Sequence, residues 1–129
     1  DKPDDFVIAT GKQYSVRQFI VWSAKALGIS LEFSGSGVDE IGTVIDKVSD
    51  KAPNIEVGQV IVRIDKLYFR PSEVDTLLGD PSKAKKILGW EPKISVQEMC
   101  KEMVEEDYKV ALRHRLLKDN GFELPISSE

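Results

Sequence analysis

Apolar residues recur along this chain with several different periods, and each period predicts a different element. Phe6-Val7-Ile8-Ala9 is a short continuous apolar run, the pattern of a strand buried on both faces in a parallel sheet. No neighbouring segment can serve as its parallel partner, and the chain opens at Asp1 without an initiator methionine. Its sheet partners are therefore expected upstream in a longer protein, or in repacking or pairing with a second copy. A turn at Thr10-Gly11-Lys12-Gln13-Tyr14 leads into Val16, Phe19, Ile20, Ser23, Ala24 and Leu27, which share one helical face. Ser15 and Gln18 supply a capping box at its start, and Gly28 is a natural stop. Strand, glycine turn and helix together make a βα unit.

Shorter apolar runs follow. Leu31-Glu32-Phe33, residues 41–48 and residues 60–65 read as strands, with Asp50, Pro53, Asn54 and Gly58 marking a loop between the last two. The turn at Ser34-Gly35-Ser36-Gly37 superficially suggests a phosphate-binding loop. A dinucleotide fingerprint needs a third glycine opening a helix, and Val38-Asp39-Glu40 stands there instead, so an ordinary turn is expected. A short helix is predicted from Asp80 as N-cap and Pro81 as first residue to Gly89, with Ala84, Ile87 and Leu88 facing inward and Trp90 pinning its end. Ser95 and Glu98 form a second capping box. Behind it Val96, Met99, Cys100, Met103, Val104, Tyr108 and Ala111 line one face of a long helix, whose end carries Arg113, His114, Arg115 and Lys118, cations suited to the negative end of its dipole. The tail beyond Gly121 is expected to be peripheral.

Composition narrows the function classes. With 129 residues, 41% of them hydrophobic, the chain is one domain's worth and can bury a core. A net charge of −4, with cations scattered among acids, argues against nucleic acid or an anionic membrane as partner. No apolar run approaches the roughly 20 residues that span a bilayer, and no signal peptide is visible. The single cysteine, Cys100, excludes an intrachain disulfide, fits a reducing cytoplasm and lies in an apolar helical register that predicts burial. One cysteine and one histidine lack companions for a metal site. His114 reads as a solvated helix-end residue, Trp22 and Trp90 as packing, and Glu102, Glu105, Glu106 and Asp107 as a solvated face.

The chemistry is concentrated in Tyr68-Phe69-Arg70-Pro71-Ser72-Glu73-Val74. A guanidinium can hold two phosphate oxygens through parallel N–H bonds, and a carboxylate three residues on can accept from a ribose hydroxyl. Pro71 biases Arg70 toward extended backbone, which helps to aim it. On spacing alone, a surface ion pair between Arg70 and Glu73, worth under about 1 kcal/mol, is the simpler reading. Arg17 and Arg63 could add positive potential near phosphates, although exposed helix and strand positions explain them equally well.

An arginine followed three residues later by an acid, shortly before Asp-x-Ser/Thr-Lys-Ala, is a pattern of sugar-nucleotide short-chain enzymes, and Arg70, Glu73 and Asp80-Pro81-Ser82-Lys83-Ala84 match it. Together with Asp5-Phe6-Val7-Ile8-Ala9-Thr10-Gly11, Tyr14-Ser15-Val16-Arg17 and Gly79 through Leu88-Gly89-Trp90, the chain resembles the C-terminal portion of the GDP-mannose 4,6-dehydratase family, a branch of the extended short-chain dehydrogenase/reductases. The likeness covers most of residues 4–105, less sharply in the loop 34–58, and is least in the tail after about residue 110. It implies an α/β fold in which residues 1–30 end a Rossmann-like, dinucleotide-binding sheet and residues 31–129 form a small mixed α/β substrate-binding domain with C-terminal helices.

The resemblance also implies an activity: conversion of GDP-mannose to GDP-4-keto-6-deoxymannose with bound NADP, by oxidation at C4, loss of water across C5–C6 and return of the hydride to C6. Arg70 is then the ligand of the GDP diphosphate and Glu73 that of its ribose. The family's glycine-rich loop and Tyr-x-x-x-Lys pair have no counterpart here, since Gln18, Ser72 and Leu112 stand four residues after Tyr14, Tyr68 and Tyr108. No catalytic residue is therefore assigned, NADP is expected on a missing N-terminal half, and the chain alone is expected to be inactive. A cytoplasmic homo-oligomer is implied for the full-length enzyme. The competing readings are another sugar-nucleotide dehydratase, reductase or epimerase, and a stand-alone non-catalytic module.

Overall fold

Three antiparallel strands and three helices account for the regular structure of the computed structural model, which describes residues 3–70 and 77–122. Helix α1, Val16–Ala26, starts at the predicted capping box: Ser15 Oγ accepts the Gln18 amide at 3.1 Å, and Gln18 Oε1 accepts the Ser15 amide at 2.8 Å. Two of the orphan amides at the helix start are thereby satisfied. Strands β1 (Ile29–Ser34), β2 (Ile41–Lys47) and β3 (Val60–Arg63) follow, each antiparallel to the next in the order β1-β2-β3. Helix α2 is Ser82–Leu88, closed by Gly89 in the left-handed region. Helix α3, Val96–Asp119, starts at the second predicted capping box, Ser95 with Glu98.

The sheet register explains a glycine in the central strand. Gly42 pairs with Phe33 on one side and Val62 on the other. A Cβ there would lie 3.0 Å from Val62 Cβ and 3.1 Å from Phe33 Cε1, so the two larger side chains occupy the space it leaves. The hydrophobic core lies one step along β2. Val44 is 1% exposed and Ile29 4%, both gathered with Ala24 of α1, while Leu27, Leu31, Ala52 and Ile55 pack around them. The loop between β2 and β3 folds back over this core. Val48 donates to Gly28 O at 2.9 Å, Gly58 donates to Val44 O at 2.8 Å, and the Lys47 ammonium donates to Ile55 O at 3.1 Å.

Helix α3 packs on α1 through Cys100, which is fully buried as its register predicts. Its Sγ lies 3.2 Å from Ser23 Oγ, whose hydroxyl is itself 2.9 Å from Phe19 O. The inward strip of α3 is narrower than its apolar pattern: Val96, Cys100, Val104 and Tyr108 at fourfold spacing turn in, whereas Met99, Met103 and Ala111 are exposed. Val16 on α1, and Ile87 and Leu88 on α2, are likewise exposed, and Ala84 is the one of the three predicted α2 residues that is buried. Each helix presents a wider apolar arc than its neighbours cover.

Residues 6–9, expected as a strand without a partner in this chain, are not buried on both faces. They form no strand ladder, and Val7 and Ile8 are exposed. A parallel strand is stable when hydrogen-bonded and covered on both faces, and residues 6–9 pair with neither edge of the three-stranded antiparallel sheet. No helix among the described residues is long and apolar enough to cross a membrane.

Neighbouring residues of β2 give a paired test of this core. Val44→Ala is expected to lower unfolding free energy in urea by about 2 kcal/mol, the usual range for truncating a closely packed aliphatic side chain. Ile45, 51% exposed on the opposite face, is expected to lose under about 1 kcal/mol on the same change.

Candidate functional site

The backbone that delivers Arg70 is shaped by the turn leaving β3. The Asp65 carboxylate accepts the Leu67 amide at 2.8 Å, and Asp65 O accepts the Tyr68 amide at 3.1 Å. An aspartate that bonds its own backbone two residues on is a common way to fix such a reversal. Arg70 is exposed and is the last residue described before residues 71–76. Glu73, its predicted companion, lies outside the described residues.

The second half of the motif has a structural task. Asp80 accepts both the amide of Ser82, at 2.9 Å, and its hydroxyl. The Ser82 hydroxyl, and after it the Ser82 amide, hold the Asp80 carboxyl below the usual aspartate range. Helix α2 thus starts one residue later than predicted: Pro81 takes the capping position, Asp80 stands just before it and accepts the first helical amide, and Pro81 O accepts from Lys85 at 2.9 Å. Lys83 reaches back to the start of the chain, donating to Asp4 Oδ1 at 2.7 Å and Asp5 O at 3.0 Å, with its ammonium 5.1 Å from the Phe6 ring centre. The Lys83 hydrogen bond is the largest cause of a lowered Asp4 pKa. Gly79 allows the same close approach, since a Cβ there would lie 2.7 Å from Ala9 Cβ and 3.2 Å from Val7 Cγ1.

Gly79 and Lys83 therefore hold the N-terminal segment beside α2. Sequence reasoning singled Lys83 out only as part of the Asp-x-Ser/Thr-Lys-Ala match, and its spacing alone gave it no part in this. A groove of about 810 Å³ opens alongside, between residues 8–10 and 88–94, with Ile8, Leu88 and Ile94 exposed on its walls.

The remaining candidates fall into place around this frame. Arg17 is committed to Glu40, which accepts from its Nε at 2.7 Å, and its guanidinium lies 5.5 Å from the Phe33 ring centre. Arg63 is exposed at the end of β3. The turn through Gly35 and Gly37 runs into a single 3-10 turn, Gly37–Asp39, and no α-helix opens there. Trp22 packs edge-on against Tyr14, with centroids 5.1 Å apart and an interplanar angle of 73°. His114 is exposed near the end of α3.

A family model described as GDP-mannose 4,6 dehydratase matches residues 1–103. A GDP-mannose 4,6-dehydratase of Vibrio cholerae is 66% identical over all 129 residues, which span 35% of that protein. One from Yersinia enterocolitica serotype O:8 is 57% identical over the same span, again 35% of its length. The human GDP-mannose 4,6 dehydratase is 39% identical over 110 residues, 85% of this chain and 27% of that protein. The chain thus spans about a third of the length of the first two relatives and corresponds to their C-terminal portion.

The Asp80 cap generates a pH prediction. A carboxyl whose pKa is depressed by folding contributes stability above its unfolded pKa, and that contribution is lost as pH falls through the folded value. The Asp80 carboxyl carbon, followed by NMR, should titrate below the ordinary aspartate value of about 3.9, and Ser82→Ala should move the midpoint up toward it. A wild-type midpoint at or above the ordinary value would contradict the cap.

Proposed function

Because the chain belongs to the GDP-mannose 4,6-dehydratase family, we propose that it is the substrate-binding C-terminal segment of an enzyme that converts GDP-mannose to GDP-4-keto-6-deoxymannose. The observation that carries this is the family match across residues 1–103, which contain Arg70, exposed beyond the braced turn that leaves β3. Arg70 neutralises the pyrophosphate, and its planar fork suits two phosphate oxygens in a way an ammonium cannot. Glu73 accepts from the guanosine ribose. Ligands of this kind sit in clefts between a dinucleotide-binding unit and a smaller domain. In this reading residues 1–30 close the first unit and residues 31–129 form the second, with β1 crossing from one to the other.

In this reading the chain carries no NADP site of its own, and two features of the described residues and the sequence support that. The glycine turn opens into a 3-10 turn instead of a helix whose amides could face a pyrophosphate, and no tyrosine has a lysine four residues on. In this reading NADP and the hydride chemistry belong to the N-terminal part of the enzyme, and this chain alone binds substrate weakly and turns none over. The exposed Val7 and Ile8 fit a surface that the N-terminal part covers, since an unpaired apolar segment gains most from a neighbouring strand. The intact protein is a cytoplasmic homo-oligomer on this account.

Calorimetric titration of the isolated chain with GDP, GDP-mannose and UDP should show weak or no binding, and micromolar affinity would contradict the division of the cleft. In the intact enzyme carrying this chain, Arg70→Ala should raise KM for GDP-mannose roughly 10- to 100-fold, the loss of one charge-assisted contact at about 1.4 kcal/mol per decade. Arg70→Lys should recover part of it, because it restores charge without the fork. An unchanged KM in Arg70→Ala would sink the assignment.

A further inference from the structure

Three large side chains leave β3 in succession, and the third is the one that finds a surface. Leu67 is 80% exposed, Tyr68 77% and Phe69 40%. The Phe69 ring tip lies beside the turn between β1 and β2: a Cβ built on Gly37 would stand 3.8 Å from Phe69 Cζ, an ordinary contact distance. Gly37 has φ +59°, a conformation that favours glycine, so the residue beside the ring is also the one that shapes the turn.

That turn is itself held firmly. At Gly35 a Cβ would meet Asp39 O at 2.4 Å, so the turn closes tightly on its own backbone. Glu40 at its end is paired with Arg17, which lies over Phe33. The segment before Arg70 is therefore held at Asp65 by hydrogen bonds and brings its Phe69 ring tip beside Gly37.

Arg70 is the next residue. We infer that Phe69, seated on Gly37, is a positioning residue that aims Arg70 at the ligand diphosphate, so that the β1–β2 turn tunes substrate affinity without touching substrate. This rests on the proposed role of Arg70 in binding GDP-mannose. A guanidinium rewards placement: two parallel N–H bonds to phosphate require its plane and distance to be right together, and a displacement near 1 Å forfeits much of the gain. A seat at the residue before it sets the direction in which its side chain starts.

The test is steady-state kinetics on the intact enzyme carrying this chain. Phe69→Ala is expected to raise KM for GDP-mannose about tenfold, equivalent to a lost affinity of one decade, with kcat changed less than about twofold as for a binding-only effect. Gly37→Asn attacks the same contact from the other side: asparagine tolerates positive φ, but its side chain contests the space of the ring. It should raise KM similarly. Phe69→Leu, which keeps an apolar group on the seat, should recover most of the wild-type KM.

The decisive arm is the double substitution. If Phe69 acts through Arg70, Phe69→Ala adds nothing further to KM in an Arg70→Ala background. Additive effects, an unchanged KM in Phe69→Ala, or a fall in kcat at constant KM would each overturn the inference while leaving Arg70 as ligand. An unchanged KM in Arg70→Ala would remove the diphosphate assignment, and the inference with it.

Discussion

The position of β2 between β1 and β3 governs the rest of the described structure. Because it pairs with both, Phe33, Gly42 and Val62 lie in one row across the sheet, and Val44 is driven into the core two residues along. The same pairing decides what stands beside the exit of β3. The connection from β1 to β2 is short, so its turn at residues 34–40 must lie at the end of the sheet where β3 finishes. Phe69 meets Gly37 there, one residue before Arg70. The placement of the proposed phosphate ligand is thus a consequence of strand order. Gly42 keeps that order tight by leaving Phe33 and Val62 room on either side of the central strand.

A second theme is how little of the apolar surface is enclosed. The core of the sheet and α1 is small, and Ala84 and Cys100 are buried outside it. Large apolar side chains at Val7, Ile8, Leu88, Met99 and Met103 are exposed. Soluble proteins seldom leave contiguous apolar patches of great extent open to water. In the proposed function, this is the surface that the N-terminal part of the enzyme covers. The N-terminal segment is held beside α2 through the Lys83 bonds to Asp4 and Asp5 O and the close approach at Gly79, and not by a strand ladder.

Much of this was legible in the sequence where the governing interaction is local. Ser15 with Gln18 and Ser95 with Glu98 start their helices where the capping pattern placed them, because both bonds of a capping box form within four residues. Strands at residues 29–34, 41–47 and 60–63 follow their apolar runs within a residue or two, and Cys100 is buried as its register implied. What failed depends on neighbours that periodicity does not contain. Residues 6–9 have strand composition but no strand to pair with, and Met99 and Met103 lie on an apolar arc with no partner over them. The family resemblance, read from residues 4–105, agrees with the match over residues 1–103. Arg70 stood out in the sequence by motif, whereas its seat could not: the contact of Phe69 with Gly37 spans 32 residues and needs the strand order before it can be seen.

The measurement closest to the central claim is a crystal structure of the intact enzyme carrying this chain, with GDP-mannose bound. The account predicts the Arg70 guanidinium about 2.7–2.9 Å from pyrophosphate oxygens, with the Phe69 ring still resting on Gly37. A pyrophosphate held entirely by other groups, with Arg70 turned away from it, would contradict the account.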